Sequence, residues 1–145
     1  MTSETYVVAF EGAPGDPRVL DFAIQQAKKD DDSLLLVHIL EWSPYSFLTQ
    51  EELAERHGRR KKELERANAI VMAPALAKAE AAGVPATGVI RYGQVVELIL
   101  EETRKAGASK IYVGRSGSQS VAARVFGSVT LGIAQLSPVP TVIVP

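Results

Sequence analysis

Three glycines near the carboxyl end of the chain share the spacing Gly114-x2-Gly117-x9-Gly127, and Ser128 follows the third. An apolar run, Lys110 to Val113, leads into the first glycine, and an apolar stripe of helical period, Val129, Ile133 and Leu136, follows the last. A phosphate needs a cluster of unpaired main-chain N–H groups with no Cβ in the way. A glycine turn after a strand and the N-terminus of a helix both offer that, and the helix dipole adds partial positive charge. Ser128 either caps the helix or donates its hydroxyl to a phosphate oxygen, while Arg115 and Arg124 bring mobile charge to the loop. The plain alternative is a tight turn at Gly114 and Gly117 and an ordinary N-cap at Gly127-Ser128. The pattern is not a Walker loop, because no Gly-Lys-Ser/Thr supplies the lysine that works on a terminal phosphate. Nor is it a dinucleotide fingerprint, whose glycines would follow the first strand.

The elements that must position this loop are legible as period. Five short runs rich in Val and Ile read as strands: Tyr6 to Phe10, Leu34 to Leu40, Thr87 to Arg91, Lys110 to Val113 and Thr141 to Val144. Most are nearly continuous in apolar character, as expected of parallel strands buried on both faces. Helical stripes lie between them. Leu20, Ala23, Ile24 and Ala27 share one face, and Leu64, Ala67, Val71, Ala75 and Ala79 share another in a long helix that Pro74 should kink. Val95, Leu98 and Ile99 mark the third helix. Strands alternating with helices predict one α/β domain over residues 1–145, with a mainly parallel sheet and right-handed crossovers.

Composition narrows the function. The chain of 145 residues has 46% apolar and 23% charged residues, the balance of a globular domain. Its formal net charge of −1 gives no global pull toward nucleic acid or anionic lipid. Cysteine is absent, which excludes disulfides and thiol chemistry. No basic leader and no apolar run long enough to span a bilayer is visible, so a cytoplasmic protein without membrane insertion is expected.

With these residues in place, the chain resembles the universal stress protein family over essentially its whole length, and specifically its ATP-binding branch. The family's motif G-2x-G-9x-G-(S/T) is met at Gly114, Gly117, Gly127 and Ser128, and "GSVTLGIAQLSPVPTVIVP" looks like the family's ending. The resemblance implies an open five-stranded α/β sheet ordered 3-2-1-4-5 with helices on both faces, a Rossmann-like, adenine nucleotide alpha hydrolase-like architecture. In such sheets ligands sit outside the carboxyl ends of the strands where the order reverses. Here that lies between strands 1 and 4, walled by Phe10-Glu11-Gly12 and by Gly114-Arg115-Ser116-Gly117. The resemblance further implies ATP, or AMP or ADP, with Mg²⁺ carried on the phosphates. The phosphates would rest on Gly114, Gly117, Gly127, Ser128 and the N–H of Val129, and the main chain near Ile39 would meet adenine. It also implies a homodimer through Thr141 to Val144.

The chain departs from the family in three places. Glu11 stands where an Asp is usual, and serves either as a nucleoside acceptor or as a solvated loop acid. Ala13 lacks the usual hydroxyl, and Arg115-Ser116 looks like an exchanged pair. No general base or arginine finger can be named, so hydrolysis should be absent or slow, and the expected role is regulatory, read by an unknown protein partner. Two other classes stay open: a dimeric interaction module holding AMP or nothing, and an adenylyl-transfer enzyme, although neither His-x-Gly-His nor Ser-Gly-Gly-x-Asp-Ser occurs.

Remaining candidates read as structure. His38 lies within an apolar strand, and two histidines cannot build a metal centre. The basic run from 55 to 66 pairs Arg59 with Glu63 and Lys61 with Glu65 at i,i+4 and lacks interleaved aromatics, so nucleic acid is not expected. Asp30, Asp31 and Asp32 should simply end a helix. The irregular segment from Trp42 to Gln50 reads as a loop with packed aromatics, or as a lid.

Overall fold

A computed structural model describes residues 3–9, 18–40, 50–115 and 128–145. Five parallel strands form one sheet: β1 (Thr5–Ala9), β2 (Ser33–Leu40), β3 (Ala86–Tyr92), β4 (Lys110–Gly114) and β5 (Thr141–Val144), in the order β3-β2-β1-β4-β5. The expected open α/β sheet is therefore the one observed. Its helices are α1 (Arg18–Asp30), α2 (Gln50–Ala67), α3 (Ala73–Ala81), α4 (Val95–Ala106) and α5 (Ser128–Leu136).

Alternation along the central strands sorts the core into two layers. Tyr6 and Val8 of β1, Leu34 and Leu36 of β2 and Tyr112 of β4 pack with Leu20, Ala23, Ile24 and Ala27 of α1 and with Ala75 and Ala79 of α3. Val7, Ala9, Leu35, Val37, Ile111 and Val113 face the other way, against Ile99 and Leu100 of α4 and Ile133 of α5. Val7 and Val8 are both fully buried. Covering both faces thus removes each from water, about 1.5–3 kcal/mol per side chain. This is why β1 shows no polar alternation.

Helix ends follow local chemistry. Gly83 and Gly107 hold φ of 78° and 62° just past α3 and α4. There Gly107 N donates to the carbonyl of Arg104 and Ala108 N to that of Thr103, closing a left-handed cap that glycine enters without a Cβ penalty.

The long second helix differs from the expected kink at Pro74. A π turn, Asn68–Met72, separates α2 from α3, with Ala73 N donating to Asn68 O, and Pro74 falls in the first turn of α3. Proline has no N–H for the carbonyl of Ile70, and its ring would crowd that group in an α-helix. The wider turn inserted before it relieves both problems. The extra residue also shifts the buried stripe, so Met72 is buried while Leu64 is 36% exposed. Gly88 of β3 makes room for it: a Cβ there would stand 2.4 Å from Met72 Sδ. Leu136, expected on the buried face of α5, is exposed.

The aspartates after α1 do more than end it. Asp31 takes φ 59° and Asp32 N donates to Ala27 O, as a helix stop requires. The phenol of Tyr6 lies 2.7 Å from Asp30 Oδ2 and 2.5 Å from Asp32 Oδ2, and Glu4 N donates to Asp32 Oδ1 at 2.7 Å. Burial, then these hydrogen bonds and charges, push the Tyr6 pKa well above the usual phenol range.

Candidate functional site

The crevice is built by the end of β1. Ala9 is its last described residue in register, paired with Val37 of β2 and Val113 of β4. Both neighbours run on, β2 to Leu40 and β4 to Gly114. Two strand spacings, about 10 Å, therefore separate the continuing ends on either side of β1.

Hydrogen bonds fix which way those ends face. Arg115 N donates to Val144 O of β5 at 2.9 Å. The carbonyl of Gly114 belongs to the same trans peptide, so it points the opposite way, toward β1. On the other side Ser33 N donates to Glu4 O, while Leu34 N and the Leu40 carbonyl bond toward β3. By strand alternation the main-chain groups of Ile39 then face the β1 side, two residues beyond Val37. Ile39 and Gly114 are both half-buried, on the two strands that neighbour β1.

The first turn of α5 closes the β4 side. Its leading N–H groups have no partner within the helix, and the dipole leaves partial positive charge there. Helix α5 covers Ser128–Leu136 among the described residues, with Ser128 exposed and Val129 half-buried behind it. Thr130, 3% exposed, donates its hydroxyl to the Gly114 carbonyl at 2.5 Å. This bond joins the two ends of the glycine motif across sixteen positions. Thr130 was not among the residues picked out by spacing. Its only sequence signal is a threonine two places after the Gly-Ser pair.

Of the expected site residues, Ile39, Gly114 and the exposed Arg115 thus lie at the carboxyl ends of β2 and β4, and Ser128 and Val129 in the first turn of α5. Phe10, Glu11, Gly12, Ser116, Gly117, Arg124 and Gly127 lie outside the described residues, as does the segment 41–49 with its aromatics. His38 is buried in β2. Glu63, expected opposite Arg59, accepts from the phenol of Tyr92, and the Arg60 guanidinium sits 4.9 Å from that ring's centroid. Burial and that hydrogen bond push the Tyr92 pKa up to about 12. Among the described residues, no group of three His, Cys, Asp or Glu side chains stands ready to hold a metal, and no helix is long and apolar enough to cross a membrane.

Beyond the crevice, a groove of about 400 Å³ follows the outer edge of the sheet. It is lined by Arg18, Asp21, Phe22 and Gln25 of α1 and by Val142 to Pro145.

Comparison with known proteins agrees with this architecture. The sequence profile of the Universal stress protein family matches residues 3–145. Universal stress protein YxiE of Bacillus subtilis (strain 168) is 28% identical over 142 residues, covering 95% of this chain and 96% of its own. Among solved structures, universal stress protein UspA from Lactobacillus plantarum superposes with a TM-score of 0.79 at 14% identity, over 100% of both chains. A universal stress protein in complex with cAMP gives 0.70 at 23% identity, over 100% of this chain and 98% of that one. The Archaeoglobus fulgidus protein in complex with dAMP gives 0.67 at 18%, over 100% of both. At these identities the structural likeness is one of fold, while the profile spans nearly every residue, and the chain belongs to the universal stress protein family.

Proposed function

We propose that the protein is a cytoplasmic, homodimeric regulatory protein that holds an adenine nucleotide between the ends of β1 and β4 and hydrolyses it slowly or not at all. The observation that carries this reading is the convergence of the Gly114 end of β4 with the N-terminus of α5, tied together at the topological switch point. The phosphates would rest on the N–H groups of Ser116 and Gly117 after Gly114 and on those from Gly127 to Val129, with Ser128 donating its hydroxyl. The nucleoside would reach across β1 toward the Ile39 main chain, with Glu11 as a further acceptor, and Arg115 and Arg124 would add charge at the rim. ATP would bring Mg²⁺ bound to its own phosphates. Family relatives solved with cAMP and dAMP support an adenine nucleotide. Because both carry a single phosphate, AMP is the second reading.

The edge strand supports the dimer. Ile111 N donates to Pro140 O and Arg115 N to Val144 O, so the N–H and C=O of Thr141 and Ile143 point away from the sheet. Antiparallel pairing centred on Val142 would set Thr141 of one copy against Ile143 of the other and form four hydrogen bonds.

The test is to denature purified protein, identify any released nucleotide by chromatography, and titrate ATP with Mg²⁺, and AMP, into stripped protein and into Gly127→Asp. Micromolar or tighter binding, lost in the variant through steric block and charge repulsion, is expected. Absence of binding in the unaltered protein would leave only an interaction module.

A further inference from the structure

The end of a parallel strand presents a difficulty to any anion bound there. Main-chain carbonyls at the carboxyl edge of a sheet point their negative ends into the crevice, and each opposes a phosphate held nearby. The Gly114 carbonyl is such a group: its peptide N–H, on Arg115, is committed to Val144, so its oxygen turns toward β1, whose last described paired residue is Ala9. In a partly buried site of lowered dielectric, that dipole acts at close range.

The geometry points to Thr130 as a positioning residue for the phosphate end of this site, an inference that rests on the nucleotide-binding reading. Its hydroxyl, buried with the side chain, donates to the Gly114 oxygen. The bond does two things at once. It occupies the carbonyl that would face the ligand, and it fixes the first turn of α5 over the end of β4, so that the unpaired N–H groups of that turn form the polar lining. Packing holds α5 through Ile133 and, in its first turn, through the half-buried Val129; the Thr130 bond adds a polar tie between that turn and the end of β4. Thr130 itself touches no phosphate. The ligand class it serves is a phosphate group, and the adenosine moiety is untouched by it.

Calorimetric titration of AMP, ATP and adenosine into the full chain and into Thr130→Val and Thr130→Ser tests this. Valine keeps the shape and removes the donor, and serine keeps the donor. The expected result is about tenfold or greater weakening of AMP and ATP in Thr130→Val, the factor that about 1.4 kcal/mol represents. Adenosine affinity should stay within about twofold, and Thr130→Ser should bind all three ligands like the unaltered protein. Equal losses for AMP and adenosine would mean a merely structural role and overturn the inference. So would undiminished AMP and ATP binding in Thr130→Val, or a serine variant as weak as valine. If Thr130→Val does not fold by circular dichroism, Thr130→Ser against Thr130→Ala decides the same question. Unaltered protein that binds none of the three ligands would remove the nucleotide reading itself, and this inference with it.

Discussion

Removing one hydroxyl at the end of the sheet opposite the crevice should reveal how Tyr6 stabilises the fold. Tyr6 is 1% exposed, and its phenol lies at hydrogen-bond distance from both Asp30 and Asp32. Asp30 is exposed and can turn to water, whereas Asp32 is 7% exposed and keeps only Glu4 N on its other oxygen. Tyr6→Phe therefore strands one buried carboxylate oxygen. Hydrogen bonds to charged acceptors are worth about 1.5–3 kcal/mol, so a loss of about 2 kcal/mol is expected, or roughly 4–8 °C in Tm for a chain of this size. The pH dependence is sharper. The folded phenol is held protonated by burial first and by Asp32 and Asp30 second, so its pKa lies above that of the unfolded chain, about 10. Below pH 10 both states keep the proton and the contribution is complete. Above it the unfolded chain releases the proton while the folded one does not, and stability falls by up to about 1.4 kcal/mol per pH unit. Phenylalanine has no such slope. Urea unfolding followed by circular dichroism should thus show two curves about 2 kcal/mol apart at pH 7 to 9 that converge near pH 11.5. Parallel curves across that range, or a gap below about 0.5 kcal/mol at pH 7, would refute the reasoning.

Two further outcomes follow from the geometry. Ile143→Pro removes an outward N–H without touching the ladder to β4, so it should raise the dimer dissociation constant by about fivefold or more, read by analytical ultracentrifugation, while the monomer stays folded. Gly132→Val should cost about 1–3 kcal/mol in thermal unfolding, because a Cβ at Gly132 would stand 2.9 Å from Val96 Cγ2 on α4; adding Val96→Ala should recover part of that loss.

Much of the fold was open to a reading of pattern. The near-continuous apolar runs of β1 and β2 announce strands covered on both sides, and the helical stripe of α1 is buried as its period predicts. Of the glycine motif, Gly114 stands at the end of β4 and Ser128 in the first turn of α5, the strand and helix that the flanking apolar runs announce. Pattern failed where a partner is remote or a local irregularity resets the period. The stripe from Leu64 to Ala79 assumed α-helical period through a kink at Pro74, and the π turn before that proline moved burial to Met72.

What the sequence by itself determined, then, is the class of sheet and the strand and helix order. These depend on residues near one another in the chain, whose spacing is their geometry. Only the tertiary structure decided that Asp32 answers Tyr6, that Ile39 and Gly114 turn their main chains toward the β1 side, and that Thr130 takes up the Gly114 carbonyl. Each of these depends on the direction of a single donor or acceptor across strands, and a hydroxyl or a carbonyl reads the same in sequence whichever way it points.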